Sequence, residues 1–123
     1  MSQPPIEAQI TFLYTADLDK TAQFYEDVLG LTCWRDQTTC RIYTLTGDAY
    51  VGFCQREDVA EQHPDVIFTL VTPDVDGWYQ YLSSKGVNFE KEPALNSEYQ
   101  IYHCFLRDPN GYLIEIQRFL QAP

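Results

Sequence analysis

The chain is short of positive charge. Eight Lys and Arg stand against eighteen Asp and Glu in 123 residues, a formal net charge of −10. Nucleic-acid phosphates and anionic lipid surfaces both call for a Lys/Arg footprint, so neither is expected as a partner. Long apolar runs are missing too, and none approaches the ~20 residues of a membrane span. The opening stretch, Met1 to Glu7, is polar, carries two prolines and does not read as a signal peptide. Cysteine is sparse, and Cys33, Cys40, Cys54 and Cys104 form neither a CxxC pair nor a zinc-type spacing. With no secretion signal they are expected to be reduced, buried thiols of a cytoplasmic protein. What is abundant is core material: 45% of residues are hydrophobic and 15% aromatic, which excludes disorder. The length suits a single domain over 1–123. The acidic surface favours solubility and, at long range, a cationic ligand.

An internal repeat organises the chain. Leu13-Tyr14-Thr15-Ala16-Asp17-Leu18-Asp19 matches Leu70-Val71-Thr72-Pro73-Asp74-Val75-Asp76 at an offset of 57. Each copy follows a β-prone run, Ile10 to Thr15 and Val66 to Thr72, and enters a helical pattern. The first helix is expected from Leu18 to Leu29, with Asp17 as N-cap and Gly30 just beyond its end. The second is expected from Val75 to Lys85, with Asp74 as cap and Gly86 as stop. Their one-sided apolar stripes predict that each covers a sheet. Strands are expected at Leu31–Arg35, Cys40–Leu45 and Ala49–Gln55, then at Val87–Lys91, Gln100–Arg107 and Tyr112–Phe119. Gly47-Asp48 and Asp108-Pro109-Asn110-Gly111 read as the hairpin turns. The last strands also repeat, Tyr50–Arg56 aligning with Tyr112–Arg118 through shared Tyr, Gln and Arg at an offset of 62.

The order is βαβββ twice, with half-units over about 8–56 and 65–120 and a polar linker between them. This predicts an α+β fold: two tandem modules forming a curved mixed sheet around a cavity, helices on the outer face. A four-stranded sheet with one helix leaves its other face bare. Two such faces can close on each other within one chain or across a homodimer.

Three stretches resemble the vicinal oxygen chelate superfamily of glyoxalase I, bleomycin resistance proteins and extradiol dioxygenases. They are Ala16 to Tyr25 with Val28-Leu29-Gly30-Leu31, then Thr72 to Asp76, and Arg107 to Glu115. The resemblance spans about Ala8 to Leu120 and implies the fold more than any reaction. In the metalloenzymes of that superfamily, the first and last strand of each half supply one His, Gln or Glu ligand. Carried over residue by residue, these positions fall on Ile10, Ile67, Phe53 and Glu115. Only Glu115 keeps donor chemistry, so no metal and no other cofactor is expected.

The two histidines do not fill the gap on this reading. His63 belongs to the linker. His103 is expected to face Ile116, with Cys104 facing Glu115, which sets His103 on the opposite sheet face from Glu115. Glu115 among Ile10, Phe53 and Ile67 is desolvated, which raises a carboxyl pKa and suits an acid/base or a polar anchor. Alternation groups Ile10, Phe12 and Tyr14 as lining, with Ile67, Thr69 and Val71; Val51, Phe53 and Gln55; and Leu113, Glu115 and Gln117. The aromatics Phe12, Tyr14, Trp34, Phe53 and Tyr102 favour a planar or hydrophobic ligand. The leading function is a small-molecule binder similar to the bleomycin-resistance branch, sequestering a hydrophobic or cationic aromatic compound as a homodimer. The alternative is a lyase, isomerase or dioxygenase-type enzyme of the same superfamily with a non-standard or absent metal, using Glu115. A third reading is an interaction module with a collapsed cavity.

Overall fold

A computed structural model describes residues 3–121. The chain divides into two compact units at Val59/Ala60, inside the expected linker. The architecture is α+β, each unit being one βαβββ module with a four-stranded mixed sheet.

In the first unit β1 (Gln9–Thr15) leads into α1 (Leu18–Gln23), whose end widens into a π-helical turn over Phe24–Val28. Then come β2 (Thr32–Asp36), β3 (Cys40–Thr46) and β4 (Ala49–Gln55), in the sheet order β1-β4-β3-β2. β4 is parallel to β1 and antiparallel to β3. The second unit repeats this with β5 (Ile67–Val71), α2 (Val75–Ser84), β6 (Lys91–Asn96), β7 (Ile101–Arg107) and β8 (Leu113–Phe119), in the order β5-β8-β7-β6.

The caps fall where the sequence predicts. Asp17 Oδ1 accepts from the Lys20 N–H at 3.1 Å and Asp74 Oδ1 from the Gly77 N–H at 2.9 Å. Each satisfies a donor that the first helical turn leaves orphaned, worth about 1 kcal/mol. The first helix reaches Leu29 but is not α throughout: the Leu29 N–H bonds to the Phe24 carbonyl, five residues back.

Each helix buries one sheet face. In the first unit Leu18, Ala22, Tyr25 and Leu29 pack with Leu13, Tyr43, Val51 and Phe53. Tyr25 has its ring centroid 4.4 Å from that of Phe53. In the second unit Val75 and Leu82 share the core with Cys104, Leu106, Ile114 and Ile116, the last four fully buried. Fully burying a side chain of this kind is worth about 1.5–3 kcal/mol, so these faces carry each unit's stability.

Two expectations need correction here. β6 begins at Lys91, where the expected Val87–Lys91 strand ends. Residues 87–90 instead return the chain from α2, with the Phe89 ring against Tyr79 at 4.6 Å. Pro93 does not exclude β6 from the sheet, because β6 is an edge strand and its register shifts between Lys91 and Ala94. The β7–β8 turn is also one residue longer than expected. The Asp108 N–H bonds to the Tyr112 carbonyl, leaving Pro109-Asn110-Gly111 as a three-residue loop with Gly111 at φ 84°. A type I turn closed by a left-handed residue has this form, and glycine is the residue that enters that region without strain. The Asp108 carboxylate fixes the loop by accepting from the N–H groups of Asn110 and Tyr112.

Candidate functional site

The longer turn changes what meets Glu115. The register pairs Phe105 with Glu115, Cys104 with Ile116 and His103 with Gln117. His103 therefore lies on the same sheet face as Glu115, and the expectation of opposite faces is wrong by one residue. His103 Nδ1 lies 2.7 Å from Glu115 Oε2, and the two side chains are 4% and 13% exposed. On the parallel side β5 pairs Thr69 with Glu115, and the Thr69 hydroxyl donates to Oε1 at 3.0 Å. With its amide nitrogen turned to the carboxylate, Gln117 lies 3.1 Å from Oε2 and 3.2 Å from Oε1. The partners decide that orientation, since the opposite one sets oxygen against oxygen.

Both oxygens of Glu115 are thus taken by donors, roughly filling the four lone-pair sites of a carboxylate. The surroundings are hydrogen-bonded polar groups, not the aliphatic and phenyl setting expected. The far edge of the imidazole meets Lys91, with Nζ 3.4 Å from His103 Nε2. A neutral ring with hydrogen on Nδ1 satisfies both contacts, donating to the carboxylate and accepting from the ammonium. Around this centre the face is apolar and exposed: Ile67 is 55% and Val71 63% accessible.

The first unit's sheet face, on the side away from α1, carries no such centre. Ile10, Phe12 and Tyr14 share it, Phe12 and Tyr14 being 45% and 42% exposed. β1 pairs Phe12 with Gly52, and a Cβ on Gly52 would lie 2.5 Å from Cε1 of Phe12, so an edge of the ring fills the space that the glycine leaves. The repeat is therefore offset by 63 in the last strand, and Gly52, not Phe53, is the counterpart of Glu115. Phe53 is fully buried against Tyr25 on the helix side and lines no ligand face. Tyr102 also sits on the helix side, where its hydroxyl donates to Asp76. Trp34 stacks on Tyr50 at 4.1 Å.

The cysteines correct a further expectation. Cys40 and Cys54 are joined by a disulfide, leaving Cys33 and Cys104 as the free thiols. Burial, with help from Asp76 and Glu115, pushes the Cys104 thiol up to about 11. Burial first, then the Glu26 and Asp36 carboxylates, also raises Cys33. Neither is poised as a nucleophile at neutral pH.

The four family ligand positions now read Ile10, Gly52, Ile67 and Glu115. They do not fit a divalent centre: three have no donor side chain, and the fourth is saturated by Thr69, His103 and Gln117. Among the described residues no group of three or more His, Cys, Asp or Glu is arranged to hold a metal ion. Sequence reasoning put Gln117 on the Glu115 face by strand alternation but missed His103 and Lys91 as neighbours of this centre. The usable signal was Gly111 after Pro109-Asn110, which marks a three-residue loop and reverses the facing of β7.

Two tandem βαβββ modules, each with a mixed four-stranded sheet, define the glyoxalase-type α+β class. The model of the Glyoxalase/Bleomycin resistance protein/Dioxygenase superfamily matches residues 8–116, and the chain belongs to that superfamily. It is 28% identical over 121 residues to the uncharacterized protein YraH of Bacillus subtilis, covering 88% of this chain and 94% of that one. It is 28% identical over 124 residues to a probable lactoylglutathione lyase of Vibrio cholerae, covering 91% and 90%. Among solved structures, a glyoxalase/bleomycin resistance protein/dioxygenase from Alicyclobacillus acidocaldarius superposes with a TM-score of 0.80 at 19% identity, over 98% of this chain and 96% of that one. A lactoylglutathione lyase from Agrobacterium tumefaciens gives 0.73 at 21% identity, over 94% and 96%. No helix among the described residues is long and apolar enough to cross a membrane.

Proposed function

We propose that this chain is a metal-independent, small-molecule-binding member of its superfamily, with the His103–Glu115 pair as the polar centre of an otherwise apolar ligand face. One observation carries the reading: both carboxylate oxygens of the remaining family ligand position are occupied by side-chain donors. A carboxylate held in this way has no lone pair to spare for a cation, and a buried polar network of this kind orients a ligand edge. Exposed Ile67 and Val71 beside it favour a hydrophobic ligand. The net charge of −10 steers cationic aromatics at long range, while Lys91 beside His103 favours a neutral molecule at contact. The exposed apolar residues on both sheets, Phe12 and Tyr14 on one and Ile67 and Val71 on the other, support a homodimer that covers them. A cytoplasmic location goes with the reading. A thermal-shift screen of neutral and cationic aromatic compounds tests it: a native-state ligand raises the melting temperature. A broad screen that moves nothing argues the sequestration role away.

A second reading is an enzyme, favoured by a specific geometry. Glu115 holds Nδ1–H and orients His103, whose Nε2 lone pair, met by Lys91 Nζ at 3.4 Å, serves as the base once Lys91 turns aside, a role that passes to His103 because Glu115 is occupied. The relatives described as probable lactoylglutathione lyases support this direction. Metal analysis of the purified chain separates the two readings. Stoichiometric divalent metal that survives dialysis overturns the metal-independent binder.

A further inference from the structure

Cys40 and Cys54 face each other across β3 and β4. The Gln55 N–H bonds to the Thr39 carbonyl at 2.8 Å, which makes Cys40/Cys54 the adjacent non-hydrogen-bonded pair, where side chains of antiparallel strands approach most closely. Their Cα atoms are 4.1 Å apart and the sulfurs are bonded. Both residues are half-buried, so a small thiol can reach them, in contrast to fully buried Cys104. The strands do not depend on the bond. The ladder from Arg41–Phe53 to Thr44–Tyr50 already fixes the hairpin, and Phe53, Tyr43 and Val51 anchor it in the core.

Of the two cysteines, Cys54 has an arginine on its own strand face, two residues further along the chain. Arg56 continues the line of β4, its N–H bonded to the Thr15 carbonyl at 2.9 Å. Its guanidinium lies 4.0 Å over the ring of Tyr14, the register partner of Cys54, and also holds Asp58 at 3.0 Å. A neighbouring guanidinium stabilises a thiolate, and the sulfur with the more stable thiolate leaves faster.

We propose that Cys40–Cys54 is a thiol–disulfide exchange centre for a low-molecular-weight thiol, with Cys40 as the sulfur attacked and Cys54 as the leaving thiolate. The external thiolate forms a bond to Cys40 Sγ as the Cys40–Cys54 bond breaks, and its electron pair leaves on Cys54. A second thiolate attacks the external sulfur of the mixed disulfide, releasing the small disulfide and a Cys40 thiolate that takes a proton from water. The net change is reduction of one protein disulfide and oxidation of two small thiols, and the reverse sequence restores it.

The test uses the full chain, folded, in glutathione mixtures of varied redox ratio, followed by acid quench, alkylation and intact mass. The expected result is a reversible two-electron titration within the glutathione range, with the circular dichroism of the folded chain unchanged. Arg56→Gln slows reduction about three- to tenfold. Cys33→Ser/Cys54→Ser treated with oxidised glutathione accumulates one glutathione per chain, mapped to Cys40, with Cys104 fully buried. A bond that opens only on unfolding, two thiols that never close in oxidised glutathione, or a rate untouched by Arg56→Gln overturns the proposal. If Cys33→Ser/Cys54→Ser does not fold, the wild-type titration and the Arg56 rate decide.

Discussion

Replacing Glu115 by leucine leaves the His103 Nδ1–H without an acceptor in a side chain that is 4% exposed. An orphaned buried donor costs about 1–3 kcal/mol, and the lost charge-assisted bond adds to it. Gln117, 8% exposed, loses its partner as well, whereas the exposed Thr69 hydroxyl turns to water. The sum is a destabilisation of about 3 kcal/mol for Glu115→Leu. Glu115→Gln keeps an acceptor for His103 and costs about 1 kcal/mol. His103→Phe removes the donor itself, so in the double variant His103→Phe/Glu115→Leu the penalty largely disappears. The cycle should give a coupling of about 2 kcal/mol. Urea denaturation followed by circular dichroism and tryptophan fluorescence measures all four corners, with equal m-values as the condition for comparing them. Single effects that simply add in the double variant, or a Glu115→Leu cost below about 0.5 kcal/mol, refute the buried network and with it the argument that the carboxylate is saturated.

Alkaline pH probes the helix side of the second sheet. In the unfolded chain Cys104 titrates at its ordinary value of 9.0, and burial raises it to about 11 in the folded state. The unfolded chain therefore loses the proton first, so stability is intact below about pH 9 and falls as the pH rises towards 11. Tyr43, raised by burial and by its hydrogen bond to Glu26, acts in the same direction in the first unit. Cys104→Val should flatten the alkaline limb between these values, as read by urea midpoints across the range; an unchanged limb contradicts the thiol's part. Gly52→Ala forces the half-exposed Phe12 ring off the sheet and should cost about 1 kcal/mol, most of it recovered in Phe12→Ala/Gly52→Ala. A Gly52→Ala cost that persists without the ring assigns it to the backbone.

The sequence already carried the modular plan. The repeated Thr-x-Asp-x-Asp segments mark a β-strand running into a capped helix, and both Asp17 and Asp74 make the cap bonds that their chemistry predicts. Periodicity also separated the core stripes correctly on both helices, because an apolar stripe at helical spacing has one sheet to cover. The three-residue identity pattern in the last strands misled, however. Tyr, Gln and Arg matched at an offset of 62, while the sheet pairs Phe12 with Gly52 and Thr69 with Glu115, an offset of 63. A strand repeats every two residues, so a slip of one exchanges its faces. Phe53 went to the core and Gly52 to the ligand face for that reason alone.

What the sequence by itself determined was local: where the elements other than β6 lie, which helix faces are apolar, and that three of four family ligand positions lack donors. Only the tertiary structure decided which side chains meet across strands: His103 with Glu115, Thr69 with the same carboxylate, Cys40 with Cys54. Those meetings depend on hairpin parity, set between β7 and β8 by left-handed Gly111 and between β3 and β4 by the turn at left-handed Gly47, and on pairing between strands far apart in the chain. Composition and periodicity carry no information about either.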